Sequence, residues 1–313
     1  MSLEIIGAES VGVRSLCCRV TLPHRRIVID PGVSLGYMRS GLLPHPLQIA
    51  VGRRIRDQIV RALDNATDVV FSHFHGDHVP LVDANPYQLS ARALPSRFRE
   101  SRCWTKSDDD LSADMKKRFR NLMELLGSSM QVGEGRSEGP LSFSQAVPHG
   151  SADSGRGTLM MTRIEMGTGV FVHASDIQLL DNVTVDRVID WQPTIVLAAG
   201  PPLYLSRLSR AERERAWNNA VRLAQSIDIA ILDHHLMRSV EGAVWLDRLS
   251  GMVGRQVYSA SDFMGRPRWL LEAKRAELYE EMPVRDGWHE DYEKGRADLD
   301  EYFDTIPQHT TRL

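Results

Sequence analysis

Short apolar runs alternate with amphipathic segments along the first half of the chain. The runs SLCCRVTL, RRIVIDPG and DVVFSH are rich in apolar and β-branched residues, a pattern that predicts strands. Between the second and third runs, Ile55, Ile59 and Leu63 recur at four-residue spacing among arginine and aspartate residues. Because this spacing places them on one face, it predicts an amphipathic helix. A second helix is predicted to end at Gly127, which suits a C-cap.

The second half of the chain shows the same alternation. Apolar runs occur in LSFSQAVPHG, TLMMTRIEM, VFVHASD, TIVLAAGPPLYL and IDIAILDHHL, and a charged helix is predicted over residues 206–226. Strand groups that are separated by helices predict a layered α/β or α+β domain. The tail from about residue 267 carries dense mixed charge and is predicted to be mostly helical.

Five polar residues share one position relative to these runs. Each lies at or just beyond the C-terminal end of an apolar run, where open α/β structures place ligand-binding groups. These residues are Asp30, His73, His149, Asp176 and His234. The pattern therefore predicts that they meet in one site.

Composition narrows the class of protein without identifying the site. The 313 residues are 42% hydrophobic and 25% charged, with a formal net charge of −3, which is ordinary for a globular protein and lacks the basic excess of a non-specific nucleic-acid binder. The three cysteines form no CxxC pair, so reduced thiols are expected. We see no signal peptide and no run long enough to span a membrane, so we expect a cytoplasmic protein.

The segment SHFHGDH concentrates coordinating side chains directly after a predicted buried strand. His73, His75, Asp77 and His78 lie within six residues, and a turn can gather side chains that a regular helix would spread apart. Imidazole and carboxylate groups suit zinc, iron or manganese, and the lack of thiolates argues against a closed structural zinc site. Surface or core histidines without a ligand role are the alternative, which three histidines and an aspartate in one loop disfavour.

The ordered set SHFHGDH, VPHG, HASD and DHH resembles the metallo-β-lactamase superfamily of binuclear hydrolases over residues 1–265. This resemblance implies a four-layer αββα sandwich with two metals at one edge of the sheets, followed by a charged helical extension at residues 266–313. More narrowly, AGPPLYL, LDHHLMR and ELYEEMPVRDGWHEDY resemble the UPF0282-type group of archaeal proteins. That narrower resemblance implies no substrate.

The superfamily resemblance also implies a role for each predicted ligand. His73, His75 and His149 would bind the first metal, Asp77, His78 and His234 would bind the second, and Asp176 would bridge both. His235 is the alternative to His234, because the doublet leaves the choice open. Asp30 would orient a ligand histidine from behind, or it caps a turn.

We therefore predict a metal-dependent hydrolase that uses a metal-bridging hydroxide, with Asp77 also acting as catalytic residue. The expected cofactors are two divalent ions; zinc is favoured, and iron and manganese are alternatives. The expected substrate is a phosphodiester or another ester or lactone, either a small molecule or derived from nucleic acid, with no membrane partner. The alternative function is a metal-stabilised scaffold that binds a nucleotide, RNA or protein without turnover. The oligomeric state stays open, with a homodimer as one alternative.

Arginines cluster in two places that bear on the substrate. The segment SARALPSRFRESRCW, residues 90–104, either faces a phosphate substrate or forms a charged, solvated loop. In the helix predicted over 206–226, Arg207 and its neighbouring arginines are balanced by Glu212 and Glu214. This balance predicts a solvated face.

Overall fold

The structure, a computed structural model that describes residues 1–152, 155 and 157–306, contains two six-stranded sheets. The first sheet follows chain order: β1 (Ser2–Ile5), β2 (Cys18–Leu22), β3 (Arg25–Ile29), β4 (Asp68–Phe71), β5 (Arg102–Thr105) and β6 (Met130–Val132). β1, β2 and β3 pair antiparallel, whereas β3 to β6 pair parallel. The parallel strands therefore end at one edge of the sheet.

The second sheet is built from the second half of the chain. The strands of this half are β7 (Ser137–Glu138), β8 (Leu141–Phe143), β9 (Val147–Pro148), β10 (Thr158–Leu159), β11 (Thr162–Glu165), β12 (Val170–Ser175), β13 (Ile195–Ala198) and β14 (Ile229–Leu232). β9 and β10 form a separate two-stranded ribbon, and the sheet order is β14-β13-β12-β11-β8-β7. β12, β13 and β14 run parallel, so their C-terminal ends also share an edge.

α-Helices separate the strands and follow the last of them in the described part of the chain. They are α1 (Pro46–Asp64), α2 (Ala113–Leu126), α3 (Asn182–Asp190), α4 (Arg210–Ser226), α5 (Val240–Val253), α6 (Ala260–Phe263), α7 (Arg275–Glu281), α8 (Trp288–Glu293) and α9 (Asp300–Phe303). α1 begins where His45 caps it, with Pro46 in the first turn, a position that proline favours. Ile55 and Ile59 of α1 are buried, as their spacing predicts.

Three apolar cores separate four layers. Ile29, Val70, Phe171 and Ile231 belong to the core between the sheets. One outer core joins the first sheet to α1 and α2, and the other joins the second sheet to α3, α4 and α5. Each fully buried apolar side chain contributes roughly 1.5–3 kcal/mol, so these layers hold the strand ends in place. The predicted four-layer αββα sandwich is confirmed.

Two strand ends adopt left-handed backbone where the sheets approach the predicted site. Asp30 after β3 has a φ of +48°, and Ser175 at the end of β12 has a φ of +52°. Such conformations cost about 1–3 kcal/mol each for residues other than glycine. The Ser175 hydroxyl donates to Asp30 Oδ2 at 3.0 Å, so the two strained residues meet across the sandwich.

The C-terminal segment after residue 265 is helical in short pieces, and its inner side is packed. Leu278, Trp288, Leu299 and Tyr302 are buried in the same apolar core as α1. The division into a domain of residues 1–265 and an extension of residues 266–313 stays a prediction, and residues 307–313 lie outside the described part. Among the described helices, none combines the length and apolar character that crossing a membrane requires.

Candidate metal centre

The predicted site residues come from the C-terminal ends of strands in both sheets. His73, His75, Asp77 and His78 follow β4, and Asp30 follows β3 in the same sheet. The remaining ones follow strands of the second half of the chain: His149 after β9, Asp176 after β12, and His234 and His235 after β14. Parallel strands end at a common edge, which brings these residues together although they are far apart in sequence, and the antiparallel β9-β10 ribbon adds His149 to them.

The first ligand group consists of His73, His75 and His149. His73 Nε2 lies 2.9 Å from His75 Nδ1, and the rings of His75 and His149 are 4.8 Å apart. Behind the group, His73 Nδ1 lies 2.9 Å from Ser72 Oγ, which fixes the ring so that Nε2 faces the cluster. Within this group, the ring nitrogens therefore converge.

The second ligand group consists of Asp77, His78 and His234. His78 Nε2 and His234 Nε2 are 3.4 Å apart, and Asp77 Oδ2 is 3.4 Å from the same His234 nitrogen. His78 and His234 are fully buried, whereas the Asp77 side chain is 17% exposed. Asp77 is therefore the member of this group that solvent and a substrate can reach.

Asp176 lies between the two groups. Its Oδ2 is 3.0 Å from His149 Nε2 and its Oδ1 is 3.3 Å from His78 Nε2. His235 Nε2 also reaches Asp176 Oδ2, at 3.1 Å, whereas His234 is on the Oδ1 side, at 3.6 Å. Both members of the histidine doublet thus face the cluster, on different sides of the central carboxylate.

Asp30 supports the cluster from the first sheet. Its Oδ2 lies 2.9 Å from His78 Nδ1 and accepts the Ser72 hydroxyl at 2.6 Å, while its Oδ1 accepts the Ser72 backbone N–H at 2.8 Å. A carboxylate at Nδ1 orients the ring and directs Nε2 towards the cluster. Burial alone would raise the pKa of Asp30, but the hydrogen bonds from His78 and Ser72 hold it below its ordinary value.

The pKa values of the histidines differ between the two groups. Burial, then the charge of His78, holds the pKa of His73 well below its ordinary value, and burial together with His149 lowers the pKa of His75 to about 4. For His78, burial opposes charging, but Asp176 and Asp30 raise its pKa well above the ordinary value. His73 and His75 thus offer neutral nitrogens, whereas His78 holds a proton between two carboxylates.

Arg238 is a functional candidate that the sequence analysis missed. Its guanidinium is buried, donates from Nε to Glu9 Oε2 at 3.1 Å, and places Nη2 at 3.2 Å from Asp77 Oδ2 and 2.7 Å from His234 Nε2. Glu9 lies 229 positions away in sequence, so no local pattern signals this pair. Its hydrogen bonds to Glu9 and Asp77 hold the buried Arg238 beside the second ligand group.

A pocket of about 580 Å³ opens onto the cluster. Predicted ligands from both groups line it together with His235, Gln178, Arg207 and Arg238. Arg207 lies in the loop before α4, because α4 begins at Arg210 after the Ser209 cap; the prediction of a helix from 206 was wrong at its start. Arg92 and Arg99 of the segment 90–104 instead line a different pocket of about 570 Å³.

The side chains that converge here fit a metal centre by their chemistry. Potential ligand atoms of His73, His75, His149 and Asp176 lie within 4.8 Å of one another, as do those of Asp77, His78 and His234. All of them are imidazole nitrogens or carboxylate oxygens, the donors that zinc, iron and manganese accept. Cys17, Cys18 and Cys103 are buried as free thiols and belong to the apolar cores.

Comparisons with known proteins place the chain among archaeal relatives. It is 47% identical to a UPF0282 protein of Methanosarcina mazei over 303 residues, which covers 97% of this chain and 100% of the relative. It is 33% identical to a UPF0282 protein of Methanopyrus kandleri over 292 residues, covering 89% of this chain and 99% of the relative. No protein-family model matches the sequence.

Two solved structures show limited similarity. An isothiocyanate hydrolase from Delia radicum gut bacteria has a TM-score of 0.44 and 13% identity, covering 71% of this chain and 82% of its own. The CmlA beta-hydroxylase E377D mutant has a TM-score of 0.45 and 13% identity, covering 82% of this chain and 52% of its own. At this level of similarity, the two structures do not indicate the chemistry of the site.

Proposed function

This chain belongs to the UPF0282 protein family, and we propose that it is a binuclear metal-dependent hydrolase of a phosphodiester or another ester. One observation supports the proposal above all: imidazole nitrogens and carboxylate oxygens from several strand ends converge on Asp176 at the wall of an open pocket. A closed structural metal site would fill its coordination with protein atoms, whereas catalytic sites keep access for substrate. Access through the pocket favours turnover over a scaffold.

Each residue has a proposed part in this reaction. His73, His75 and His149 would hold one cation, Asp77 and its two histidine partners the other, and Asp176 would contact both. When bound, the two divalent cations would polarise the scissile bond and lower the pKa of a water molecule. Zinc is the favoured ion because the donor set is rich in imidazole and contains no ligand that specifically selects a redox-active metal.

Asp77 combines contact with the cluster and access to the pocket. Its Oδ2 faces His234 and Arg238, while the side chain lines the pocket. A carboxylate at this position can orient an attacking water and accept a proton from it. His75, His149 and His235 line the same pocket, so the reacting group of the substrate would lie among these four side chains.

The experiment combines metal analysis with turnover. We expect purified protein to carry close to two zinc equivalents and to hydrolyse bis(p-nitrophenyl) phosphate or p-nitrophenyl acetate, with activity lost on chelation. Asp77→Asn should lower kcat by at least about 100-fold, whereas Asp108→Asn, at an exposed position, should not change it. A metal-replete protein that is inert towards phosphodiester, ester and thioester panels would instead favour the non-catalytic scaffold.

A further inference from the structure

The pocket wall beside the candidate metal centre carries two guanidinium groups. Arg207 and Arg238 both line the pocket, the first from the loop before α4 and the second from the turn after β14. Arg207 is exposed, and it has no carboxylate partner among the described residues. An unpaired guanidinium at the mouth of a pocket is a donor for carboxylate or phosphate oxygens.

Arg238 adds a positive charge that is fixed in position. Besides the contacts with Glu9, Asp77 and His234, its Nη1 reaches Tyr204 Oη at 3.4 Å. The second Nη1 hydrogen has no acceptor among the described residues. Because the buried partners restrain the guanidinium, it can present this hydrogen to a ligand at little loss of side-chain entropy.

Gln178 supplies an independent indication of a ligand at the same wall. The residue is 1% exposed and lines the pocket, and its buried Nε2 has no hydrogen-bond partner in the described part of the chain. A buried amide nitrogen without an acceptor is unfavourable by about 1–3 kcal/mol. Because the nitrogen itself is covered, the amide would have to turn towards the pocket before a ligand oxygen could accept from it and remove that penalty.

We propose that Arg207, Arg238 and Gln178 form an anion-binding wall that selects a phosphodiester as the substrate, an inference that rests on the proposed hydrolase function. A phosphodiester carries a permanent negative charge on the reacting group, which a neutral ester or lactone lacks. Hydrolysis would add a water oxygen to phosphorus and break one P–O ester bond. The departing alcohol oxygen takes one proton from the water, and the products are a phosphomonoester and an alcohol.

Binding of inorganic phosphate to the metal-loaded protein tests the wall without turnover. By isothermal titration calorimetry, Arg207→Gln and Gln178→Leu should each weaken phosphate binding about 10- to 100-fold, the scale of one charge-assisted hydrogen bond. The matched control is Arg210→Gln, because Arg210 is exposed three positions away and lies outside the described lining of the pocket. The control should bind phosphate like the parent protein.

Two binding results would overturn the inference. One is an equal effect of Arg207→Gln and Arg210→Gln, which would reduce the wall to general surface charge. The other is an acetate affinity that matches that of phosphate and falls by the same factor in Arg207→Gln, which would indicate a carboxylate ligand. Circular dichroism and metal content of each variant show whether it is folded and loaded.

Kinetics separate this inference from the proposed function. The ratio of kcat/KM for bis(p-nitrophenyl) phosphate to that for p-nitrophenyl acetate should fall about 10-fold in Arg207→Gln, and should not change in Arg210→Gln. An equal loss for both substrates would contradict charge selection while leaving the hydrolase function in place. Absence of any turnover, with the expected loss of phosphate binding, would refute the hydrolase function and retain the anion-binding wall.

Discussion

The two ligand groups face the same carboxylate, Asp176, but their surroundings differ. In the first group, His75 and His149 line the pocket, and burial keeps His73 and His75 neutral. In the second group, His78 and His234 are buried away from the pocket, and His78 holds a proton between carboxylates. Two histidines of the first group therefore reach the pocket, whereas in the second group only Asp77 reaches it and both histidines are enclosed.

This difference predicts unequal metal affinities. A cation entering the second group must displace the His78 proton and the Arg238 Nη2 that lies 2.7 Å from His234 Nε2. A cation entering the first group meets neutral nitrogens without such competition. We therefore expect the first group to hold its cation more tightly, and the second cation to be the one that is sensitive to changes in the surrounding charges.

Asp176→Asn should have the largest effect, because this side chain contacts both groups. Loss of the central carboxylate charge should lower kcat/KM on the order of 1,000-fold and reduce the metal content from about two equivalents to below one. Plasma mass spectrometry of dialysed protein measures the metals, and Asp108→Asn is the exposed control. If Asp176→Asn kept one tight cation and released only the other, the carboxylate would belong to a single group.

Arg238→Met should have the next largest effect, which is a loss of folding stability. The substitution removes the guanidinium from Asp77 and from Glu9, whose pKa burial raises to about 8, and breaking a buried ion pair from one side costs about 3–5 kcal/mol. Urea unfolding of chelator-treated protein measures the loss, and Glu9→Gln in the same chain should recover part of it. The control is Arg19→Met, because Arg19 pairs with Glu4 in a more exposed setting, 2.5 Å away, and such pairs contribute at most about 1 kcal/mol.

An equal cost for the Arg238 and Arg19 substitutions would contradict the inference that Arg238 is a fixed, buried cation beside the second group. It would show that Arg238 is solvated in solution and free to leave His234. The expected difference in metal affinity between the two groups would then lose its main physical basis.

Strand ends were the most predictable part of this molecule. The sequence places Asp30, His73, Asp176 and His234 beyond apolar runs, and the parallel strands β3, β4, β12 and β14 do end near one another. The rule works because a buried strand has an unmistakable apolar pattern and because parallel strands share an edge. The helical layer that contains α1 was also predictable, because apolar residues recur there at helical spacing.

Contacts between distant segments were not predictable. Arg238 looks like an ordinary polar residue after a histidine doublet, and only the fold brings Glu9 to it. The sequence analysis places Arg207 on a solvated helix because glutamates balance the arginines there. The capping box of Ser209 and Glu212 is nevertheless a local signal that the helix begins later. The choice between His234 and His235 as ligand stayed open because the sequence does not specify the turn after β14. That turn decides where each ring points.

Acid should weaken the ion network behind the second group. Arg14 donates to both Glu272 oxygens, and Arg39 donates to one of them at 3.1 Å. Burial alone would raise the pKa of Glu272, but Arg14 lowers it from the ordinary value of 4.5 to about 2. Because the folded-state pKa is lowered, this stability is present above about pH 4.5 and is lost as pH falls towards 2.

Unfolding free energies of the parent protein and Glu272→Gln, measured from pH 6 to pH 3 without metal, isolate this contribution. The parent should be more stable at pH 6 by at most about 3 kcal/mol, and the difference should shrink at pH 3. The control is Glu4→Gln, because Glu4 pairs with Arg19 at 2.5 Å in a more exposed setting. A difference that stayed constant with pH would show that Glu272 is not charged in the folded protein.

Asp30→Asn should have the smallest effect, but it tests the difference between the two ligand groups most directly. Every contact of Asp30 is with a donor: the Ser72 hydroxyl and N–H, the Ser175 hydroxyl and His78. An amide in its place turns one acceptor into a donor and releases His78 from its fixed orientation. Loss of such a supporting carboxylate typically weakens metal binding about 10- to 100-fold.

Because His78 is the only predicted ligand that Asp30 contacts directly in the described structure, and His73 is reached only through Ser72, most of the loss should fall on one of the two cations. Competition with a chromophoric chelator should show the weaker binding step shifted and the tighter step unchanged in Asp30→Asn. Ser175→Ala, which removes one of the hydrogen bonds to the same oxygen, should give a smaller shift in the same direction. A shift of the tighter step instead would assign the stronger cation to the enclosed group and reverse the comparison.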